Sequence, residues 1–420
     1  MRTLLMTQVV PNPPDAGPKA KTHYVLRTLA KEHEVDLVTF VRSEAEIQHA
    51  KALAPYCRSI ATVPIQRGKV RDAGYLAKSW LKRTPFLVER DARRAYSTIV
   101  SQLMASGDID VMHADQLSMA QYLDLGRGHR ARRVFDAHNA VWELVHELAP
   151  RQPTPVHQGF AAVEWRRLRQ FEGRIARESD LTLVVSERDR SALSLAAGTE
   201  IRTEVVPIGI EALERDPVDL AGTANLLSIA TMHYPPNAEA LRWFLDSIWP
   251  RVATAVPNAT LDIVGTRPPQ DLSAAAELDT RVRVRGYVEN VEPLYQEAAV
   301  FIAPLRSGSG VRVKILEAMA RGVPVVSTTI GADGLDVHDG VHLLLADTAQ
   351  EFAEAIRFLI ANPARARAIA TTGRQRVIER YDWRNCCRPV LDAYRQLIPA
   401  KAASVYFPVN RSTATPQDVT

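Results

Sequence analysis

Short apolar runs alternate with amphipathic helical stretches from the first residues of the chain, and the alternation starts afresh near residue 220. In the first set, 2–10, 35–41, 111–113, 133–136, 181–185 and 203–206 read as strands. Between them, 23–31 carries Tyr24, Val25, Leu29 and Ala30 at helical spacing, and 163–178 presents Trp165, Leu168, Phe171 and Ile175 as one buried stripe. Strands separated by helices run parallel, because a crossover returns the chain to the same end of the sheet. The second set reads as strands at 225–231, 260–264, 281–285, 300–303, 323–327 and 341–345. Pro235-Pro236-Asn237 opens its first helix, since proline suits the first turn. With 420 residues the chain exceeds one ordinary core. Segment 207–223 holds Pro, Gly and acidic residues with little periodicity, and reads as a linker. The expected fold is α/β, two doubly wound Rossmann-like domains facing across a cleft. They would comprise 1–207 and 208–384, followed by a helix at 385–398 and a polar, aperiodic tail from 401 to 420. In such sheets ligands bind at the carboxyl ends of the strands.

Composition excludes several classes. Charged residues are 24% of the chain and the net charge is only +4, so nothing demands nucleic acid as a partner. The excess is uneven: 1–207 holds 30 Lys+Arg and 24 Asp+Glu, leaving 22 and 24 beyond. It is sharpest in 67–94, where nine basic residues face Asp72, Glu89 and Asp91. That stretch is either a solvated face or a surface for anionic lipid or a phosphorylated substrate. Trp80, among Lys78, Lys82 and Arg83, fits peripheral membrane contact or an ordinary helix and loop. Cys57, Cys386 and Cys387 make no CxxC, imply no disulfide framework, and suit a reduced, cytoplasmic setting. The opening MRTLLMTQVVPNPP reads as a first strand rather than a signal peptide. No run of 18 apolar residues suggests a membrane span. Trp243, Phe244 and Trp249 read as core.

The most informative segment is 304–335, PLRSGSGVRVKILEAMARGVPVVSTTIGADGL. Gly308-Ser309-Gly310, with Val311 next, follows an apolar strand and lets backbone approach a ligand closely. A helix is expected from Arg312 to Arg321, with Ile315, Leu316 and Met319 inward; Gly322 and Pro324 end it. Exposed N–H groups at a helix N-terminus favour an anion, and Arg312 and Lys314 add charge there. Three positive features suit a diphosphate. Glu317, one turn beyond Lys314, can accept two hydrogen bonds from a ribose diol, or else form a surface pair with the lysine. Neither a Walker loop nor a GxGxxG after the first strand is present.

The phrase KILEAMARGVPVVST resembles the C-terminal signature of the group 1 (family 4) glycosyltransferases, which have the GT-B fold. VVPIGIE, HYPPNAEALRWFLDSIWPRV, PNATLDIVG, RVRVRGYVENVEPLYQEAAVFIAP, FDAHNAVWELVHELA and LTLVVSERD extend the likeness over about residues 1–398. The resemblance implies a C-terminal helix, within 385–400, returning to the first domain. It makes Glu317 the ribose ligand, the second glutamate of a Glu–seven residues–Glu motif. The first glutamate is replaced by Ser309, which bears on the donor sugar. An arginine of the family's diphosphate pair is also replaced, by Thr231-Met232-His233; Arg312 and Lys314 would supply that charge. Gly286 and Tyr287 fall where the family builds its base pocket, and Gly17 where the first loop approaches the ligands. His138 falls where a histidine reaches towards the donor sugar, and Asp136 would orient it or cap the turn.

The implied reaction is retaining, metal-independent transfer from a nucleotide diphosphate sugar, the donor substrate, to a lipid-linked, polysaccharide or other hydroxyl acceptor. No separate cofactor is implied, and the expected site is cytoplasmic or peripheral at the inner face of a membrane. Two alternatives stand beside it. One is a nucleotide-sugar epimerase of the same fold. The other is a non-catalytic nucleotide-sugar-binding paralogue, motivated by Ser309.

Overall fold

A computed structural model describes residues 1–14, 17–212, 224–232, 234–308 and 311–398. Seven parallel strands form the first sheet: β1 (Arg2–Thr7), β2 (Glu34–Val41), β3 (Ser59–Pro64), β4 (Val111–Asp115), β5 (Arg132–Asp136), β6 (Leu181–Val184) and β7 (Thr203–Val205). Their order is β3-β2-β1-β4-β5-β6-β7. Six parallel strands form the second: β8 (Asn225–Ile229), β9 (Thr260–Val264), β10 (Val282–Gly286), β11 (Val300–Ala303), β12 (Val325–Ser327) and β13 (Leu344–Leu345), in the order β10-β9-β8-β11-β12-β13. Both sheets reverse direction of growth beside their first strand, so each has a switch point where loops part and leave a crevice. Central strands are buried along nearly their whole length, as helices on both faces require. The fold is two doubly wound α/β layers-of-three, as the alternation predicts.

The last helices return to the first sheet. Val390, Tyr394 and Leu397 join Leu26, Leu29, Val35 and Leu181 in one core layer. The chain crosses between the sheets at 207–212 and again at Asp382. There Ile210 N–H donates to Tyr381 O (2.8 Å) and Trp383 N–H to Ile210 O (3.0 Å), so the two crossings are stitched together.

Several boundaries differ from expectation for local reasons. Strand β3 is absent from the sequence reading, because SIATVP lies on the sheet edge, is mostly half-buried and lacks a strong apolar run. The expected helix at 385–398 is two pieces, Trp383–Cys386 and Arg388–Leu397, broken at Cys387 ahead of Pro389. Pro324 delays β12 to Val325. The helix expected from 163 starts eight residues earlier, at Pro155, with Thr154 as its cap. Phe244 and Trp249 are buried, while Trp243 is half-buried under Arg306, whose Cζ lies 5.4 Å from its ring. Residues 213–223 of the expected linker, and the tail from 401, lie outside the described residues.

Candidate active site

The second-domain wall of the cleft begins where β11 ends. Leu305 O accepts from Thr328 Oγ1, which ties the loop to the end of β12. Gly308 holds φ +105°, and a Cβ there would sit 3.0 Å from Tyr234 Oη and 3.2 Å from Arg312 Nη2. Both conformation and crowding therefore require glycine. The helix runs from Val313 to Ala320, with Arg312 as its N-cap and no acidic residue in its first turn. Its first turn thus brings no carboxylate of its own to the positive end. Burial draws the Arg312 guanidinium down from its ordinary pKa, opposed by Tyr234 and Asp333. The largely buried Lys314 donates to Asn237 Oδ1 at 3.0 Å, its only hydrogen bond among the described residues. Burial, and then the charge of Arg312, draw its pKa down to about 7. A neutral amide beside a cation does not compensate an ammonium; an incoming anion would. One turn on, burial raises the Glu317 carboxyl above its usual range, opposed by Arg321 and the phenol of Tyr295. Ser309 and Gly310 lie outside the described residues.

The first-domain wall is built at the ends of β4 and β5. His138 Nε2 lies 2.9 Å from Asp115 Oδ1, with both side chains buried. The Thr22 hydroxyl lies 2.8 Å from that same oxygen and 2.9 Å from Pro18 O, sharing one proton between two acceptors. Asp136 was expected to orient His138 or cap the turn. Instead it accepts from the fully buried ammonium of Lys21, with His113 Nε2 at 3.4 Å on its other oxygen. Burial alone would raise the Asp136 pKa; Lys21 and His113 hold it well below the ordinary carboxylate range. His113 Nδ1 in turn meets Tyr394 Oη at 2.5 Å, which joins the returning helix to this network. Asp115, Asp136 and His138 offer ligand atoms within 4.8 Å of one another. The ammonium of Lys21 already supplies the positive charge at that cluster, so the donor set fits a metal ion poorly.

Behind His138 the next helix, Val141–Leu148, opens inward. Asp189 accepts from Ala140 N–H at 2.9 Å, and Glu172 accepts from Val141 N–H (3.0 Å) and Trp142 N–H (2.7 Å). Those donors are spent on internal carboxylates, so this helix end offers a ligand nothing. Burial pushes the Glu172 carboxyl up to about 8, against the two backbone donors.

The walls meet. A Cβ on Gly17 would lie 3.3 Å from Val313 Cγ2, so the first loop rests on the second domain's helix opening. Arg188 of the first domain reaches Asp333 of the second at 3.1 Å, while also holding Glu143. Beside them a cleft of about 490 Å³ is lined by Glu147, Arg188, Arg306, Gly308 and Ile330. Of the residues singled out from sequence, Gly17, His138, Gly308, Val311, Arg312 and Lys314 lie on these facing walls. Gly286 ends β10 with φ +65° and open space where a Cβ would be, and the exposed Tyr287 follows it. Sequence reasoning missed Asp115, Lys21, Tyr234 and Asn237. Asp115 carried a legible signal, since it ends a strand next to the switch point; Lys21 and Asn237 read as ordinary helix residues.

Two doubly wound domains with a ligand cleft between their strand ends, and a last helix returning to the first, define a GT-B protein. Residues 223–362 match the family model described as Glycosyl transferases group 1. An uncharacterized 44.6 kDa protein of the cps region of Klebsiella pneumoniae is 28% identical over 165 residues, 38% of this chain and 42% of that protein. The alignment thus spans less than half the length of that relative. Alpha-maltose-1-phosphate synthase of Mycolicibacterium smegmatis is 24% identical over 394 residues, 83% of this chain and 94% of the synthase. Among solved structures, Anabaena HepE in complex with UDP superposes with a TM-score of 0.67 at 16% identity, covering 94% of this chain and 100% of that one. The family match thus covers most of the second domain, while the likeness of fold extends over nearly the whole chain.

Proposed function

We propose that the protein transfers a sugar, with retention and without a metal, from a nucleotide diphosphate sugar to a hydroxyl of a lipid-linked or polysaccharide acceptor. The observation that carries this reading is Lys314: a largely buried ammonium whose one hydrogen-bond partner among the described residues is an amide, beside Arg312, at a helix whose first turn lacks acids. Diphosphate is the group whose charge such a cradle stabilises as it leaves, and electrostatic stabilisation of this kind is a large term in catalysis. HepE, of the same fold, is solved with UDP, which supports a nucleotide donor. Glu317 takes the ribose diol and His138, held by Asp115, contacts the donor sugar from the opposite wall. Retention follows from the family resemblance.

The test is release of nucleoside diphosphate from a panel of nucleotide sugars, read alongside thermal shifts with the same ligands. Release that Glu317→Ala abolishes supports transfer. Binding with no release on long incubation supports the non-catalytic reading that Ser309 motivates. Proton NMR of the product's anomeric centre reads the stereochemistry.

For location, we propose peripheral contact at the inner face of a membrane through 67–94. The Lys69–Lys82 helix exposes Val70, Trp80 and Leu81, which supports it. Two of its lysines, Lys78 and Lys82, are engaged by Glu89, so contact would lean on the apolar residues. Co-sedimentation with anionic vesicles, lost in a Trp80→Ser/Leu81→Ser variant, would bear this out; unchanged co-sedimentation or none in the parent would not.

A further inference from the structure

The other half of the basic segment 67–94 turns inward, to the cleft end of the first sheet. Arg42 follows β2, Arg67 lies three residues beyond β3, and Arg90 stands beside them on the short helical turn after Phe86. Arg67 Nη2 donates to Asp91 Oδ1 at 2.5 Å and Gln8 Nε2 to Asp91 Oδ2 at 2.6 Å. Asp91 is fully buried, and both its oxygens are thereby taken. Arg42 meets Glu46 only at 3.7 Å. Arg90 makes no side-chain hydrogen bond or ion pair among the described residues; its guanidinium faces the Phe86 ring at 5.7 Å. Arg90 Nε and Arg67 Nη1 are buried donors with no acceptor. Buried donors are rarely left so, and here they converge from neighbouring guanidiniums. Burial, and then the charges of Arg67 and Arg42, draw the Arg90 pKa down, while Asp91 and Asp72 oppose this. Asp72 Oδ1 is likewise buried without a donor, so the nearby acids leave Arg90 Nε and Arg67 Nη1 unanswered.

We propose that Arg42, Arg67 and Arg90 form an oxyanion site, separate from the Lys314 cradle, that holds a phosphate or carboxylate of the acceptor. The inference rests on the transfer reading for the word acceptor, but the site is defined by its own geometry. Arginine suits it, since its planar fork pairs two donors with two oxygens of one oxyanion. Three strand spacings, about 14 Å, separate β2 from β5, and His138 lies two residues beyond β5. An anionic group anchored there would leave room for a sugar-sized part of the acceptor to reach the donor. The site selects acceptors that carry an oxyanion a short distance from the reacting hydroxyl.

The test is a thermal-shift titration with inorganic phosphate on the full chain in a Lys314→Ala background, which weakens the donor cradle. Phosphate is expected to stabilise that variant, and adding Arg90→Gln is expected to weaken the apparent affinity about tenfold or more. Arg90→Lys, which keeps the charge without the fork, should fall between and guards against a folding defect. Equal phosphate affinity with and without Arg90→Gln would overturn the proposal. Dodecyl phosphate and glucuronate then distinguish the source: an Arg90-dependent shift with either supports a phosphoryl or a uronate acceptor respectively, and with neither removes the acceptor role. Nucleoside diphosphate shifts on the unmodified protein test the parent reading separately.

Discussion

The two walls of the cleft handle charge in opposite ways. Around His138 on the first-domain side the buried polar groups have internal counterparts: Lys21 meets Asp136, His138 meets Asp115, and the open N–H groups beyond His138 go to Asp189 and Glu172. On the second-domain side Lys314 has an amide, and the helix opening has no acid. A compensated network holds a side chain in one position without help from substrate, whereas an uncompensated cation costs stability until a ligand arrives. On the proposed reading the first wall aims and the second grips.

That contrast can be broken most severely at the first wall. His138→Ala should lower turnover by about 10²–10⁴-fold, the range for a lost acid–base or polar contact at the reacting centre, with donor affinity nearly kept. Unchanged turnover measured by diphosphate release would shift the chemistry to the other wall. Lys314→Ala should weaken nucleoside diphosphate binding about 10–100-fold, as loss of a charged hydrogen bond does, and nucleoside binding far less. Calorimetry giving equal losses for both ligands would make Lys314 structural. Asp115→Asn sharpens the aiming argument. Its amide can donate where the carboxylate only accepts, so the His138 ring loses its fixed orientation. About a tenfold drop in kcat with KM held is expected; a change confined to KM would contradict it.

The smallest effect is one of sign. Lys314 has its pKa drawn down to about 7. Between pH 7 and 10 the unfolded chain binds more protons at this group, so its contribution to stability rises with pH. Diphosphate affinity should fall over the same window as the ammonium is lost, and Lys314→Met should flatten both trends. Glu172, pushed up to about 8, works the other way. The folded state there holds the extra proton, so its contribution is full below the ordinary glutamate pKa and is lost as pH rises through 8. Glu172→Gln should remove that decline in melting temperature; an unchanged slope would assign it elsewhere.

The alternation of strands and helices was enough to read both sheets, because parallel strands buried on two faces are continuous apolar runs. It failed at β3, an edge strand with little to bury. The gripping wall was legible because Gly308, Arg312 and Lys314 are neighbours in sequence. On the aiming wall His138 was legible only through the family resemblance, and its partners were not, because Asp115 lies 23 residues back on β4 while Lys21 and Asp136 are 115 residues apart. Nothing local tells that Asp115 rather than Asp136 faces His138. Only the register of β4 beside β5, which pairs Asp115 with Asp136 in one row, decides it.

The helix Arg388–Leu397 fills the core beside β1, β2 and β6 with Val390, Tyr394 and Leu397. The amino-terminal lobe thus remains unfinished until the helix Arg388–Leu397 has left the ribosome. During synthesis its apolar floor stays uncovered while the second lobe is still being made. Truncating the chain ahead of Val390 would strip packing from the lobe at the opposite end of the sequence and leave Tyr394's partner, His113, buried with one ring nitrogen unanswered.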